Sequence, residues 1–466
     1  MDAIQRLEAS GEVLSPAVRA VILAFEARIR ELEAQLRGNS TNSSRPPSSD
    51  PPGTVHPRKK KSARKRGGQK GHPGHQRTLL PPERVDAVVG HRPAACQHCG
   101  HGLSGARAVG APTRHQMIEL PRVRAQVTEH QGFTLACPSC RGHTRARLPV
   151  EIRAHRFGPR LVAFCAVLMS RFRLSRRDLP VLLGDVLDVP TPALGTTQAF
   201  AAESSAALLE PYQQIRAALR SAPRASVDET GWSLRGLTRW IWTAAAEVAT
   251  LFRVGRRRST AERERLLGRD FAGVMTTDRW RAYDSHPQER RQLCWSHVRR
   301  NFQGLADAGG AGAALGAWGV RETERLFHDW HRHQRGEISH AELGWELRPV
   351  QMRVRRILRA AAKSTDRRAH RLGRDLLRLW TSLWTFVRLE GVEPTSNRAE
   401  RALRKPVIWR KCCFGSNSGA GLRFVERMLS ATETCRQQHR NLLEYLTAAL
   451  EAHRIGVPAP RLLPAH

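Results

Sequence analysis

Between residues 18 and 36, apolar side chains recur at Val18, Ile22, Phe25, Ile29, Leu32 and Leu36. Spacings that alternate between four and three form the a/d seam of a heptad repeat and predict an N-terminal coiled-coil helix over 1–37. The same pattern also fits a single amphipathic helix packed on its own protein. Over 38–80 the periodicity vanishes. A Ser/Asn/Pro tract, GNSTNSSRPPSSDPPG, gives way to RKKKSARKRGGQKGHPGHQR, with no acid between Asp50 and Glu83. Such a segment has too little apolar surface to fold alone and reads as a basic disordered linker. Within 81–150, MIELPRVRAQVTEHQGFTLAC alternates like two strands of a hairpin. From Phe157 to Leu219 the period is helical. There, 179–187, a turn at Asp188-Val189-Pro190 and a helix from about Pro192 resemble a helix-turn-helix within a helical region over 155–220.

From Ala225 the period changes to two. ASVDETGWSL, RWIWTAAAEV and TLFRVGRRRS read as three consecutive strands, AERERLLG as a short helix, FAGVMTTD as a fourth strand and RRQLCW as a fifth. Helical periodicity returns from Val298 to Leu389. EPTSNRAERALR reads as a loop entering a helix, and the chain is helical again after Gly421. The chain is therefore expected to be a multidomain α+β protein.

Charge narrows the partners. Seventy-seven Lys and Arg oppose forty-two Asp and Glu among 466 residues, a formal charge of +35. Self-repulsion on that scale calls for an anionic partner, and nucleic acid is the usual one. The longest apolar run, Leu161 to Met169, is too short to span a membrane, and the N-terminus lacks a signal-peptide pattern, so a cytoplasmic protein is expected. Arg58, Lys59, Lys60, Lys61, Arg64, Lys65, Arg66 and Lys70 form a candidate phosphate-tracking arm.

Nine cysteines, an odd number, argue against a secreted disulfide framework. Four of them, Cys96-x-x-Cys99 and Cys137-x-x-Cys140, supply the thiolates of a structural zinc site in a zinc-ribbon-like module over 81–150. Four thiolates leave no open position, so this zinc is not expected to be catalytic.

Three acids stand where a metal-dependent phosphoryl-transfer site would need them. Asp228 lies on a strand whose alternation lets only one of Asp228 and Glu229 face a given side. Asp278 ends an apolar strand. Glu400 falls in the first turn of a helix, where it could instead close a capping box with Asn397 as N-cap.

The phrases VDETGW, TDRWRAYD, CWSHVRRNF and PTSNRAERALR, in this order, resemble the transposase of the insertion-sequence-66 family. LEAQLRGNSTNSSRPPSSDP, GGQKGHPGH and the two CxxC pairs resemble it too. Ser396 stands where the family commonly has the first of two Asn, and Arg279-Trp280 where it has Gly and an aromatic. The resemblance implies a ribonuclease-H-like catalytic domain over 221–300 and 391–440, a helical insertion over 301–390, and a C-terminal helix and tail over 441–466. It implies a DDE triad of Asp228, Asp278 and Glu400 holding two Mg²⁺ (or Mn²⁺), with His297 and Asn397 as supporting residues. The implied function is binding of element ends, DNA cleavage and strand transfer to target DNA, by a homo-oligomer and with accessory proteins of the same element as possible partners. The alternatives are a metal-dependent nuclease that does not join, or a non-catalytic zinc-containing DNA-binding protein.

Overall fold

The computed structural model describes residues 13–36, 39–43, 78–190 and 192–464, together with Ile4, Ala9 and Asp50. The eight candidate arm residues from Arg58 to Lys70 lie outside the described residues. Helix α1, Pro16–Leu36, carries the heptad seam. Of its seam residues, Val18, Phe25, Ile29, Leu32 and Leu36 are exposed and Ile22 is half-buried.

The hairpin expected within 117–137 does not form. Of that segment only 134–136 is a strand; 117–133 contain none, and Met117, Ile118, Leu120 and Val127 are exposed. Alternating apolar residues without a second layer to cover them gain nothing from pairing, and Pro121 removes a donor. The hairpin lies later, where β1 (Thr134–Ala136) pairs antiparallel with β2 (His143–Arg145) around the second CxxC turn.

The helical region comprises α2 (Pro159–Ser170), α3 (Asp178–Leu187), α4 (Leu194–Ala207) and α5 (Leu209–Arg220). α3 ends on Asp188 in the left-handed conformation, φ 52°, as a turn there requires. α4 carries no Lys or Arg and buries Thr197, Phe200, Ala201, Ser204, Ser205 and Ala207.

This region is not a separate unit. One hydrophobic core runs from Val162 and Phe200 through Trp242 and Phe252 of the sheet to Met428 and Leu446 of the last helices. The sheet comprises β3 (Arg224–Leu234), β4 (Leu237–Ala245), β5 (Thr250–Gly255), β6 (Val274–Thr277) and β7 (Arg291–Leu293), with α6 (Thr260–Leu267) between β5 and β6. The strand order is β5-β4-β3-β6-β7. β3, β4 and β5 pair antiparallel, whereas β6 and β7 run parallel to β3. The strand expected over RRQLCW shrinks to Arg291–Leu293, because Trp295 already opens a helix.

A second core holds the helical insertion. It contains α7 (Trp295–Ala308), α8 (Ala313–Gln334), α9 (His340–Ala362) and α10 (Arg367–Arg378). α7 and α8 approach closely because Gly319 has no side chain: a Cβ there would stand 2.3 Å from the Phe302 ring. Short helical turns over 380–388 return the chain to β7. Thr385 Oγ1 donates to Arg291 O at 2.6 Å, and Gln292 Oε1 accepts from Phe386 N at 2.8 Å. The insertion thus covers the β7 edge. Finally, α11 (Asn397–Cys413) packs on β3 and β4, α12 (Gly419–Gln437) on β5, and α13 (Leu442–Arg454) on α2. No helix among the described residues is long and apolar enough to cross a membrane.

Candidate metal-dependent active site

Asp228 lies in the middle of β3, opposite Thr243 of β4. The parallel register between β3 and β6 pairs Arg224 with Val274 and Ser226 with Thr276. Continued two residues further, it brings Asp278 level with Asp228. Adjacent strands lie about 4.8 Å apart, so the register alone makes these two acids neighbours. Asp278 is held just past the strand end: Trp280 N donates to its Oδ1 at 2.8 Å.

Glu400 arrives from far along the chain. Trp295 N donates to Pro394 O at 2.9 Å, and Ser396 N donates to Cys294 Sγ at 3.3 Å. These bonds dock the 394–400 segment on the start of α7. The N-cap of α11 is Ser396, one residue earlier than expected, and Asn397 is the first helical residue and is exposed. No side chain caps this terminus, so the capping box does not form and Asn397 has no supporting contact there. Glu400 Oε1 instead accepts from Ser396 Oγ at 3.4 Å. It lies 3.5 Å from His297 Nδ1 and 3.6 Å from Arg300 Nη2.

Asp278 and Glu400 are near enough to Asp228 to act on it electrostatically, but the oxygens of the three carboxylates do not all lie within 4.8 Å of one another. Burial first, then the Glu229 carboxylate, push the Asp228 carboxyl well above the usual carboxylate range; His297 pulls it down, and Asp278 and Glu400 add smaller upward pushes. Glu229, on the opposite face of β3, is buried and accepts hydrogen bonds from Arg258 Nε and Tyr283 Oη. Burial and Asp278 raise it, and Arg258 opposes the rise.

Beside Asp278 opens a cleft of about 500 Å³, lined among others by Arg258, Arg279, Cys294, His297 and Asp375. Arg279 Nη1 donates to Asp375 Oδ2 at 2.6 Å, tying the loop after Asp278 to the insertion. Burial pushes the His297 imidazole down, but Cys294 beside it and Glu400 push it up further, to about 9. Burial pushes the Cys294 thiol up, and His297 more than offsets that. Cys294, His297 and Glu400 are the one group of three or more potential metal ligands, among the described residues, whose donor atoms all lie within 4.8 Å of one another.

The sequence reading passed over Arg258, Tyr283, Cys294 and Arg300. Arg258 was hidden in a run of basic residues. Cys294 stood in plain view: Cys-x-x-His at a helix start puts both side chains on one face.

The two CxxC turns are individually formed. Cys96 N donates to His101 O and Gly100 N to Cys96 O; Cys137 N donates to Gly142 O and Arg141 N to Cys137 O. Backbone amides within each turn lower the Cys96 and Cys137 thiols, as a thiolate knuckle requires. No three of the four cysteine sulfurs lie within 4.8 Å of one another.

Three family models match parts of the chain. The family described as Transposase IS66 family matches residues 193–423, which include Asp228, Asp278 and Glu400. The zinc-finger binding domain of transposase IS66 matches 93–141, which includes all four CxxC cysteines. A family of unknown function matches 2–78. No individual curated protein matches the chain. Two domains of one transposase family, in order along one chain and together covering more than half of it, show that this protein belongs to the IS66 transposase family.

Proposed function

We propose that this protein is a DDE transposase that binds the ends of a mobile DNA element, cleaves DNA there and joins those ends to a target. What supports this reading is the parallel register that sets Asp278 level with Asp228, with Glu400 on a helix close enough to act on Asp228 electrostatically. We read the five-stranded sheet as a ribonuclease-H-like domain with its helical insertion between the second and third acids.

The residues suit a hard divalent cation. They offer carboxylate oxygens, and the crowding of negative charge that raises Asp228 is what a cation would relieve. When bound, Mg²⁺ or Mn²⁺ supplies positive charge to the attacking and leaving oxygens of the displacement. Asp228, Asp278 and Glu400 would hold it. His297 and Arg300 orient Glu400 from the insertion side. Arg279, fixed by Asp375, keeps the loop after Asp278 in place.

The basic segment from Arg58 to Lys70 supplies phosphate affinity. Cys96, Cys99, Cys137 and Cys140 hold a structural zinc once their two knuckles close on it. Exposed seam residues of α1 mediate assembly into a homo-oligomer on DNA.

A strand-transfer assay with labelled donor ends, plasmid target and Mg²⁺ tests the reading. Joined products are expected. Cleavage without joining would leave a nuclease, and binding without cleavage would leave a non-catalytic DNA-binding protein.

A further inference from the structure

Cys294 does not fit an all-oxygen magnesium site. It is buried at the junction of β7 and α7, and its sulfur accepts from Ser396 N at 3.3 Å. His297 follows three residues later, one helical turn along, and both residues line the cleft. Glu400 closes the group from α11, with Oε1 3.5 Å from His297 Nδ1. That nitrogen is buried and makes no well-aligned hydrogen bond within the protein. Its charged neighbours include the two other donors of the group, the Cys294 thiol and the Glu400 carboxylate.

We infer that Cys294 Sγ, His297 Nδ1 and Glu400 form a site for a thiophilic divalent cation, Zn²⁺, separate from the CxxC module. Sulfur and imidazole select zinc over magnesium. Around a tetrahedral zinc the donor atoms stand on the order of 3.5 Å apart, given bond lengths of about 2.0–2.3 Å. The nitrogen and carboxylate oxygen are already at that separation, and all three donors lie within 4.8 Å of one another, so modest side-chain rotation closes the set. Binding releases to solvent the proton held by the Cys294–His297 pair, leaving a thiolate and a neutral imidazole as ligands. Three protein ligands leave a fourth position free, as in zinc sites with an exchangeable ligand. The inference does not depend on reading Glu400 as a magnesium ligand. If that reading also holds, zinc and magnesium compete for one carboxylate.

Metal counting on the full chain after dialysis against Zn²⁺ tests this. The Cys137→Ser/Cys140→Ser background removes the CxxC site and should retain about one Zn²⁺ per chain. Adding Cys294→Ser should abolish it. His297→Gln in the same background should also abolish it, and that variant covers the case in which Cys294→Ser fails to fold, checked by circular dichroism. Cys412→Ser/Cys413→Ser, which alters the two exposed neighbouring cysteines, should leave the count unchanged. With Co²⁺ in place of zinc, the background should show sulfur-to-cobalt charge transfer in the near ultraviolet, lost with Cys294. A background that binds no zinc, or zinc that survives both the Cys294 and the His297 variants, would overturn the inference.

Discussion

The guanidinium of Arg258 reaches Asp278, with Nη2 3.3 Å from Oδ2, while its Nε donates to the buried carboxylate of Glu229. It stacks 4.3 Å from the centre of the Trp280 ring. One cation from the end of β5 therefore bridges a buried acid on one face of β3 and a candidate metal ligand beyond β6. Removing it leaves Glu229 as an uncompensated buried charge. Arg258→Ala should lower stability by about 3 kcal/mol, a loss typical of breaking a buried pair. Arg258→Ala/Glu229→Gln should recover most of it, measured by chemical denaturation. If the double variant is no more stable than the single one, Glu229 is not what Arg258 neutralises.

Glu400→Gln should fold and bind DNA yet lose strand transfer by about 10⁴-fold or more, as removal of one member of a cooperating catalytic set does. Asp228→Asn and Asp278→Asn should match it, and combining them should add little. Because α11 is not capped by Asn397, Asn397→Ala should change stability by no more than about 0.5 kcal/mol, the range of an ordinary surface change. Strand transfer near wild type in Glu400→Gln would exclude Glu400 from the triad.

Asp228 sets a pH dependence. The folded chain holds its proton more tightly than the unfolded chain, whose Asp ionises near about pH 4. Between that value and the raised one the unfolded chain binds fewer protons, so this group's contribution to stability is full at low pH and lost as pH rises. In the absence of divalent metal, Asp228→Asn should therefore melt higher than wild type at neutral pH, by about 2–4 °C per kcal/mol relieved. The gap should close as pH falls toward 4, and Mg²⁺ should narrow it by stabilising wild type alone. A wild type that melts as high as the variant at neutral pH, without metal, would contradict the charge crowding.

The exposed seam of α1 predicts assembly. Phe25 and Ile29 are 65% and 54% exposed. Ile22→Asp/Ile29→Asp puts charge where a partner helix would bury it, and should reduce the assembled mass on DNA in sedimentation. An unchanged mass would place the assembly contacts elsewhere.

Several elements of the fold are encoded in local patterns. Alternation over 225–229 specified the start of β3, because period two buries one face of a strand, whereas β4, buried on both faces over 241–245, was marked by its near-continuous apolar run. Local spacing likewise specified each CxxC turn and the order of the three acids. It did not determine where α11 begins, since the cap depends on bonds from Ser396 and Pro394 to α7, roughly a hundred residues away. Nor could it show that 155–220 shares its core with the sheet and the last helices: amphipathic periodicity says that a face is buried, not against what. The hairpin expected within 117–137 failed for the same reason: of that segment only Thr134–Ala136 is a strand, and its partner lies beyond it at His143–Arg145. Only the tertiary structure aligned Asp278 with Asp228 through parallel register, seated Arg258 between Glu229 and Asp278, and turned Cys-x-x-His toward Glu400. These are contacts between residues distant in the chain, fixed by strand pairing and by the helical insertion folding back on β7, and no local pattern encodes them.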